Sequence, residues 1–320
     1  MSDFLETYEK VRGGAGFYEQ KRGLIAVWGK EAVQFLNGLI TNDVAKLEEN
    51  SQMLAAFPNA QGRLLAVVRV LRRDDKFLFE TEAATREKVF QNLFRFTFAG
   101  DFFVEDLSEK FSFFSILGRD IFNRPPDAET KILSKEFGGN DFSVIKPLRG
   151  KGSDVIIQRD FAGDFIYELE NLDAVPISKE LYEVLRIENG LPLYGVDMDE
   201  TTIVPELDLP ELISYNKGCY IGQEIIARIH FRGHVAKKLT GLILSEPPAT
   251  AGGLNPENLK NTELKSLEGK SAGKITSVTF SPKLEKTIAL AFVRYDFLAE
   301  GTELKVGDFA AKVKNLPFVE

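Results

Sequence analysis

The chain has 320 residues, 44% of them hydrophobic and 28% charged, and a net charge of −8. That is the make-up of a globular protein with material for two or three domains. The acidic balance excludes a protein that grips nucleic acid over a broad surface, and no apolar run approaches the length of a membrane span. The single cysteine, Cys219, cannot form an internal disulfide, and residues 1–10 (MSDFLETYEK) carry neither a signal nor a transit pattern, so the expected setting is a reducing cytoplasm.

Residues 1–20 read as a short helix followed by a glycine turn at 13–16. GLIAVW (23–28) predicts a strand, and Val33, Leu36, Leu39 and Ile40 fall at helical spacing from residue 30 onward. FLNGLITNDV (35–44) closes that helix into a loop, where Asp43 reads as a turn or capping residue. Strands follow at 53–57 and 63–71, joined by the turn PNAQG (58–62), and at 77–81. Thr85 reads as the N-cap of a helix over 86–96, and strands are predicted at 102–106 and 111–117. Residues 118–141, rich in Pro, Gly, Asn and charge, read as a boundary or surface loop. Strands at 141–145, 154–158 and 165–169 come next, then a helix capped by Ser178 that runs to 187 and ends at Asn189-Gly190. Beyond residue 238 the pattern is all-β, with strands at 239–244, 271–279, 288–294, 303–306 and 310–313 and a long loop at 247–260. The expected fold class is α+β: one α+β domain over 1–117, a second over 118–238, and a C-terminal antiparallel β-barrel over 239–320.

KGCYIGQEIIARIHFRGHVAKK (217–238) gathers the only cysteine, the only two histidines and a local excess of positive charge. Gly218 and Gly222 flank Cys219 and Tyr220, and 223–228 reads as a helix with an acid in its first turn. Cys219 would then stand just before a helix N-terminus and two residues from Lys217, both of which favour a thiolate. The competing reading is a buried, inert cysteine, as most lone cysteines are. Cys219, His230 and His234 are suitable zinc ligand types, but Cys219 and His230 would lie at opposite ends of a short helix, so no metal is expected. One cysteine cannot hold a four-thiolate cluster within the chain.

Two blocks together, RIENGLPLYGVDMDETTIVPE (186–206) and KGCYIGQE with its continuation ARIHFRG (217–224 and 227–233), resemble the YgfZ family of folate-binding proteins, relatives of the aminomethyltransferase T-protein of glycine cleavage. FLNGLITNDV with FPNAQGRLL (57–65), and SAGKITSV (271–278) with IALAFVR (288–294), are weaker matches. KGCYIGQE is specific to the YgfZ branch, whereas the first block is shared with T-proteins. The resemblance implies three domains in a ring-like arrangement, which this family allows to be discontinuous in sequence. It also implies a site for tetrahydrofolate or a one-carbon derivative near the centre of the ring.

A pterin presents a ring N–H beside an exocyclic amine, which one carboxylate can accept together. The family's folate-binding glutamate maps to Glu188, whose alternative reading is an exposed helix-end residue. Tyr194, Tyr220 and Phe231 are candidate walls for the flat rings, against the commoner role of aromatics as core. Arg228, and less directly Arg232, are candidates for the carboxylates of the folate's glutamate tail. Cys219 is the candidate functional thiol. T-proteins carry an acidic pair after the turn that matches Gly62; here Ala66 and Val67 stand there, and neither can act as a general base or stabilise a developing cation. The expected function is therefore a tetrahydrofolate-binding accessory protein, more a helper than an enzyme, supporting iron–sulfur cluster assembly or repair in client enzymes that include tRNA-modifying ones. The alternatives are a folate-dependent aminomethyltransferase or other one-carbon transferase with a relocated catalytic group, and a scaffold without folate.

Overall fold

A computed structural model of the chain describes residues 2–124, 130–137, 140–245 and 256–319. The chain divides into two compact units: Met1–Ser178 with Pro210–Ile225, and Lys179–Leu209 with Ile226–Glu320.

The first unit is built on two sheets. Five antiparallel strands run in the order Ser51–Pro58, Leu64–Arg73, Lys76–Glu82, Arg22–Trp28, Phe103–Asp106. Alternation along each strand gives this sheet two apolar faces. Ile25, Val27, Val68, Val70 and Phe79 share one core with Ala32, Leu36 and Leu39 of the helix Ala32–Leu39 and Val89 and Leu93 of the helix Arg86–Phe94. Leu24 and Leu71 join a second core with Phe113, Ile145 and Ile156. Those last three belong to a six-stranded sheet, ordered Ala174–Pro176, Ala15–Gln20, Phe111–Gly118, Gly152–Gln158, Asn140–Ile145, Leu133–Phe137. Only the pairing of Ala15–Gln20 with Ala174–Pro176 is parallel among these. The sheet's other face packs on Phe165 and Leu169 of the helix Ala162–Asn171.

Six polar side chains close a ring between the two sheets. Arg69 pairs with Asp154 at 2.8 Å and with Glu80 at 3.5 Å, and Glu80 pairs with Arg22. Arg22 donates to Gln20, Gln20 to Ser115, and Ser115 to Asp154. Two positive and two negative groups thus cancel, and each charge has an opposite neighbour, the condition for tolerating them inside.

The second unit centres on a closed antiparallel barrel: Lys237–Leu244, Lys286–Arg294, Ser271–Ser281, Glu263–Ser266, Glu303–Val306 and Phe309–Lys314, which returns to the first strand. Every second residue points inward, so Leu242, Leu244, Ile275, Ala289, Ala291, Val293, Leu304, Val306, Ala311 and Val313 fill it. Closure leaves no edge strand to protect. The helix Lys179–Glu188 packs on the strand Ser271–Ser281 through its apolar face. Among the described residues no helix is long and apolar enough to cross a membrane.

The α+β class and the C-terminal barrel agree with the sequence reading. Several local expectations do not. Residues 165–169 lie in a helix, because Phe165 and Leu169 are buried at i, i+4 while Tyr167 between them is 66% exposed. Ala15–Gln20, in the expected glycine turn, and Leu133–Phe137, in the expected loop, are strands. Thr85 precedes its helix but donates to Glu82 O instead of capping. The six-stranded sheet draws strands from both sides of residue 117, so chain order does not separate two α+β units. Of the loop expected at 247–260, residues 247–255 lie outside the described residues.

Candidate functional site

In the second unit the helix Lys179–Glu188 ends as Asn189-Gly190 predicts. Gly190 takes φ +67°, its N–H bonds Ile187 O at 2.9 Å, and Leu191 N–H bonds Arg186 O at 3.0 Å. This paired closure satisfies carbonyls the helix would otherwise orphan. It also fixes two charged side chains at the helix end. The Arg186 guanidinium lies 2.8 Å from Asp197 and 2.7 Å from Glu183, and it donates to Leu191 O and Ser277. Asp197 in turn accepts from Thr276 and from Leu193 N–H. Burial works against the charge on Arg186, but Asp197 and Glu183 outweigh it and hold its pKa above the ordinary value.

Glu188, two residues on, is 0% exposed, so the reading of an exposed helix-end glutamate is wrong. It accepts from the Ser281 hydroxyl at 2.5 Å, and its backbone carbonyl accepts from Phe318 N–H. A carboxylate there faces the negative end of the helix dipole and has left water, two costs that packing alone does not demand. Tyr194 is buried in the turn that presents Asp197, pairing with Met198.

In the first unit, three of the sequence blocks converge. Segment 212–222 is docked on 38–42: Ser214 N–H bonds Thr41 O, Ile221 N–H bonds Gly38 O, and Thr41 Oγ1 donates to Leu212 O. Gly222 takes φ +79°, and a Cβ there would meet Asn59 O of the PNAQG turn at 2.4 Å, so only glycine permits this approach. Asp43 caps the turn at Val44–Lys46 by accepting from Ala45 N–H at 3.2 Å, as expected. The helix Gln223–Arg232 begins where the sequence put it, with Gln223 Oε1 accepting from Tyr220 N–H.

Cys219 is exposed, which removes the buried, inert reading. Lys217, expected to favour its thiolate, spends its amine elsewhere. Nζ donates to Asn42 O at 2.6 Å, Ile40 O at 2.9 Å and Asn37 Oδ1 at 3.5 Å, and lies 5.2 Å from the Tyr220 ring centroid. Burial drives the Lys217 amine down to about 8, against a smaller upward pull from Asp43. Tyr220 is itself buried, and burial with a push from Tyr215 raises its phenol to about 12.

Arg228 and Arg232 are exposed on one helix face and make no ion pair among the described residues. Phe231 beside them is 67% exposed and so forms no part of the core. His234 stacks on Tyr295 with centroids 3.6 Å apart. Lys238 pairs with Asp208 at 2.7 Å. Among the described residues no group of three or more His, Cys, Asp or Glu could hold a metal ion. Ala66 is fully buried in the helix-side core of the five-stranded sheet, and Val67 is half-buried beside it.

One feature escaped the sequence reading. A cavity of about 350 Å³ in the first unit is lined by Asn42, Gln52, Met53, Leu54, Thr130, Lys146, Pro147, Leu148 and Glu211. Its volume falls in the range of small-molecule sites, and it mixes apolar walls with amides, an ammonium and a carboxylate. No motif signals it, because its lining comes from five separated segments.

Two helix-backed, mainly antiparallel sheets and a helix-backed closed barrel define a chain with the domain architecture of glycine-cleavage T-proteins. The GCVT N-terminal domain matches residues 3–143 and the glycine cleavage T-protein C-terminal barrel domain matches residues 237–320. The chain is therefore T-protein-like. It is 29% identical over 317 residues to the aminomethyltransferase of Thermotoga neapolitana, covering 91% of this chain and 82% of that protein. It is 26% identical over 335 residues to the aminomethyltransferase of Caldanaerobacter subterraneus, covering 96% and 84%. The fold is also that of glycine cleavage system aminomethyltransferase T from Bartonella henselae, with a TM-score of 0.84 over 99% of this chain and 90% of that one, at 21% identity.

Proposed function

We propose that this chain binds a reduced folate, tetrahydrofolate or a one-carbon derivative. The observation that carries the reading is Glu188: a fully buried carboxylate, oriented by Ser281, at the position the family resemblance gives to the pterin acceptor. A pterin amidine edge presents paired N–H donors that a carboxylate can accept. Because Glu188 is sealed, a pterin reaches it only when a neighbouring side chain gives way. Arg228 and Arg232, exposed and uncommitted, suit the glutamate-tail carboxylates.

Two readings share this core. The names of the relatives favour a folate-dependent aminomethyltransferase over an accessory role. Against transfer stand Ala66 and Val67, apolar where the T-protein resemblance calls for acids, the former sealed in core. KGCYIGQE, with its exposed thiol, supports the accessory reading: a cytoplasmic helper of iron–sulfur cluster assembly or repair in client enzymes, tRNA-modifying ones among them. Calorimetry with a stable reduced folate tests the shared core. Binding is expected, lost in Glu188→Ala and kept in Cys219→Ala; absence of binding removes folate altogether. Turnover of an aminomethyl donor with tetrahydrofolate would establish the transferase. For the accessory role, a deletion strain is assayed for cluster-enzyme activities, and full rescue by Cys219→Ala would take the thiol out of the mechanism.

A further inference from the structure

The amine of Lys217 is the most heavily engaged group in the Cys219 segment. It reaches back across the chain to three oxygens of 37–42, while the thiol two residues away stands in solvent. Asn37 is itself tied down: its Oδ1 also accepts from Val44 N–H and its Nδ2 donates to Asp43. Asn42 donates to Leu54 O and Glu211 O. The acceptors therefore sit on a braced loop, and Lys217 is the long side chain that grips it from the Cys219 side.

We propose that Lys217 is the positioning residue of the Cys219 loop: its half-buried amine, held by Ile40 O, Asn42 O and Asn37 Oδ1, docks 217–222 on the 37–42 loop and fixes where the exposed thiol stands. The consequence rests on reading Cys219 as the functional thiol. The grip outlasts loss of the charge, because a neutral amine keeps two N–H donors for its two shortest contacts, to Asn42 O and Ile40 O. Deprotonation removes the burial cost. The docked amine titrates at about 8, an undocked lysine at about 10.5. The undocked state binds more protons between those values, so docking tightens as pH rises from about 8 toward 10.5. Asp43, with Lys46 at 3.5 Å behind it, is the charged group on the receiving loop. On the segment itself, Tyr215 and Tyr220 are both raised above their ordinary values.

Amide hydrogen exchange of 217–222 in the full chain, corrected for intrinsic base catalysis, tests this between pH 6.5 and 9.5. In Cys219→Ala, which removes the loop's own thiol, protection is expected to rise above pH 8. Adding Lys217→Met should lower protection roughly tenfold or more and erase the rise, since the carbonyls lose a charged donor. Adding Lys217→Arg should erase the rise as well, since guanidinium does not titrate there. Barrel peptides serve as the folding control. Unchanged protection in Lys217→Met, or a persisting rise in either variant, overturns the proposal. The complementation assay with Cys219→Ala tests the role of the thiol separately.

Discussion

One cation in each unit is drawn wholly or partly out of water, and the two are held in opposite ways. Arg186, in the barrel-bearing unit, faces two carboxylates, and its pKa stands above its ordinary value. Lys217, in the two-sheet unit, faces neutral carbonyl and amide oxygens, and its pKa falls to about 8. Arg186 has left water and Lys217 has left it in part; what differs most is the countercharge. A matched buried charge accounts for itself as architecture, since Arg186 and Asp197 tie the 186–197 block to the barrel strand that carries Thr276 and Ser277. A half-buried amine without a bound carboxylate sits within reach of a protonation change near pH 8, on a residue two positions from the exposed thiol.

The most severe way to break this contrast is to make Arg186 resemble Lys217. Asp197→Ala leaves a buried guanidinium with only the half-buried Glu183 as countercharge, and takes one acceptor from the Thr276 hydroxyl, which keeps Leu290 O. The expected loss is about 3–5 kcal/mol of stability, read by urea unfolding. A loss below about 1 kcal/mol would mean that the ion pair does not anchor the block.

A milder test exploits the titration difference. The stability of the parent chain minus that of Lys217→Met should increase with pH from about 8 toward 10.5, because the unfolded lysine holds its proton over an interval where the folded one does not. Partial solvent screening limits the change to about 1–2 kcal/mol. Arg186 stays protonated throughout, so Arg186→Met should give a difference that does not vary over the same interval. A flat profile for Lys217 would show that its amine is not taken from water in the folded chain.

Both the fold class and the barrel were legible because they rest on periodicity: inward alternation in the barrel strands, and a helix closed by Asn189-Gly190. The 165–169 segment misled because a short apolar run carries no period of its own, and only the contrast between buried Phe165 and exposed Tyr167 reveals the helix. Motif reading singled out Glu188, Cys219 and the FLNGLITNDV loop as candidates, yet it paired Lys217 with the wrong neighbour. Sequence proximity suggested Cys219; the fold brought Asn42 and Ile40, some 175 residues earlier, to the amine. The cavity at Asn42, Gln52 and Lys146 was invisible for the same reason. Its lining meets only when the edge strand and four remote segments are assembled.

Arg228 supplies the third kind of cation, exposed and unpaired, and the smallest expected effect. Nothing in the fold depends on it, so Arg228→Ala should change stability by no more than about 0.5 kcal/mol. If it contacts a carboxylate of the folate tail, affinity for a reduced folate should fall by about three- to tenfold, the scale of a solvent-exposed ion pair. The loss should shrink as salt is raised, because such a contact is screened, whereas the loss in Glu188→Gln, a buried position, should not. Calorimetry at two salt concentrations separates these cases. An affinity loss in Arg228→Ala that ignores salt would place the arginine's effect in the shape of the helix and not in a direct contact with the ligand.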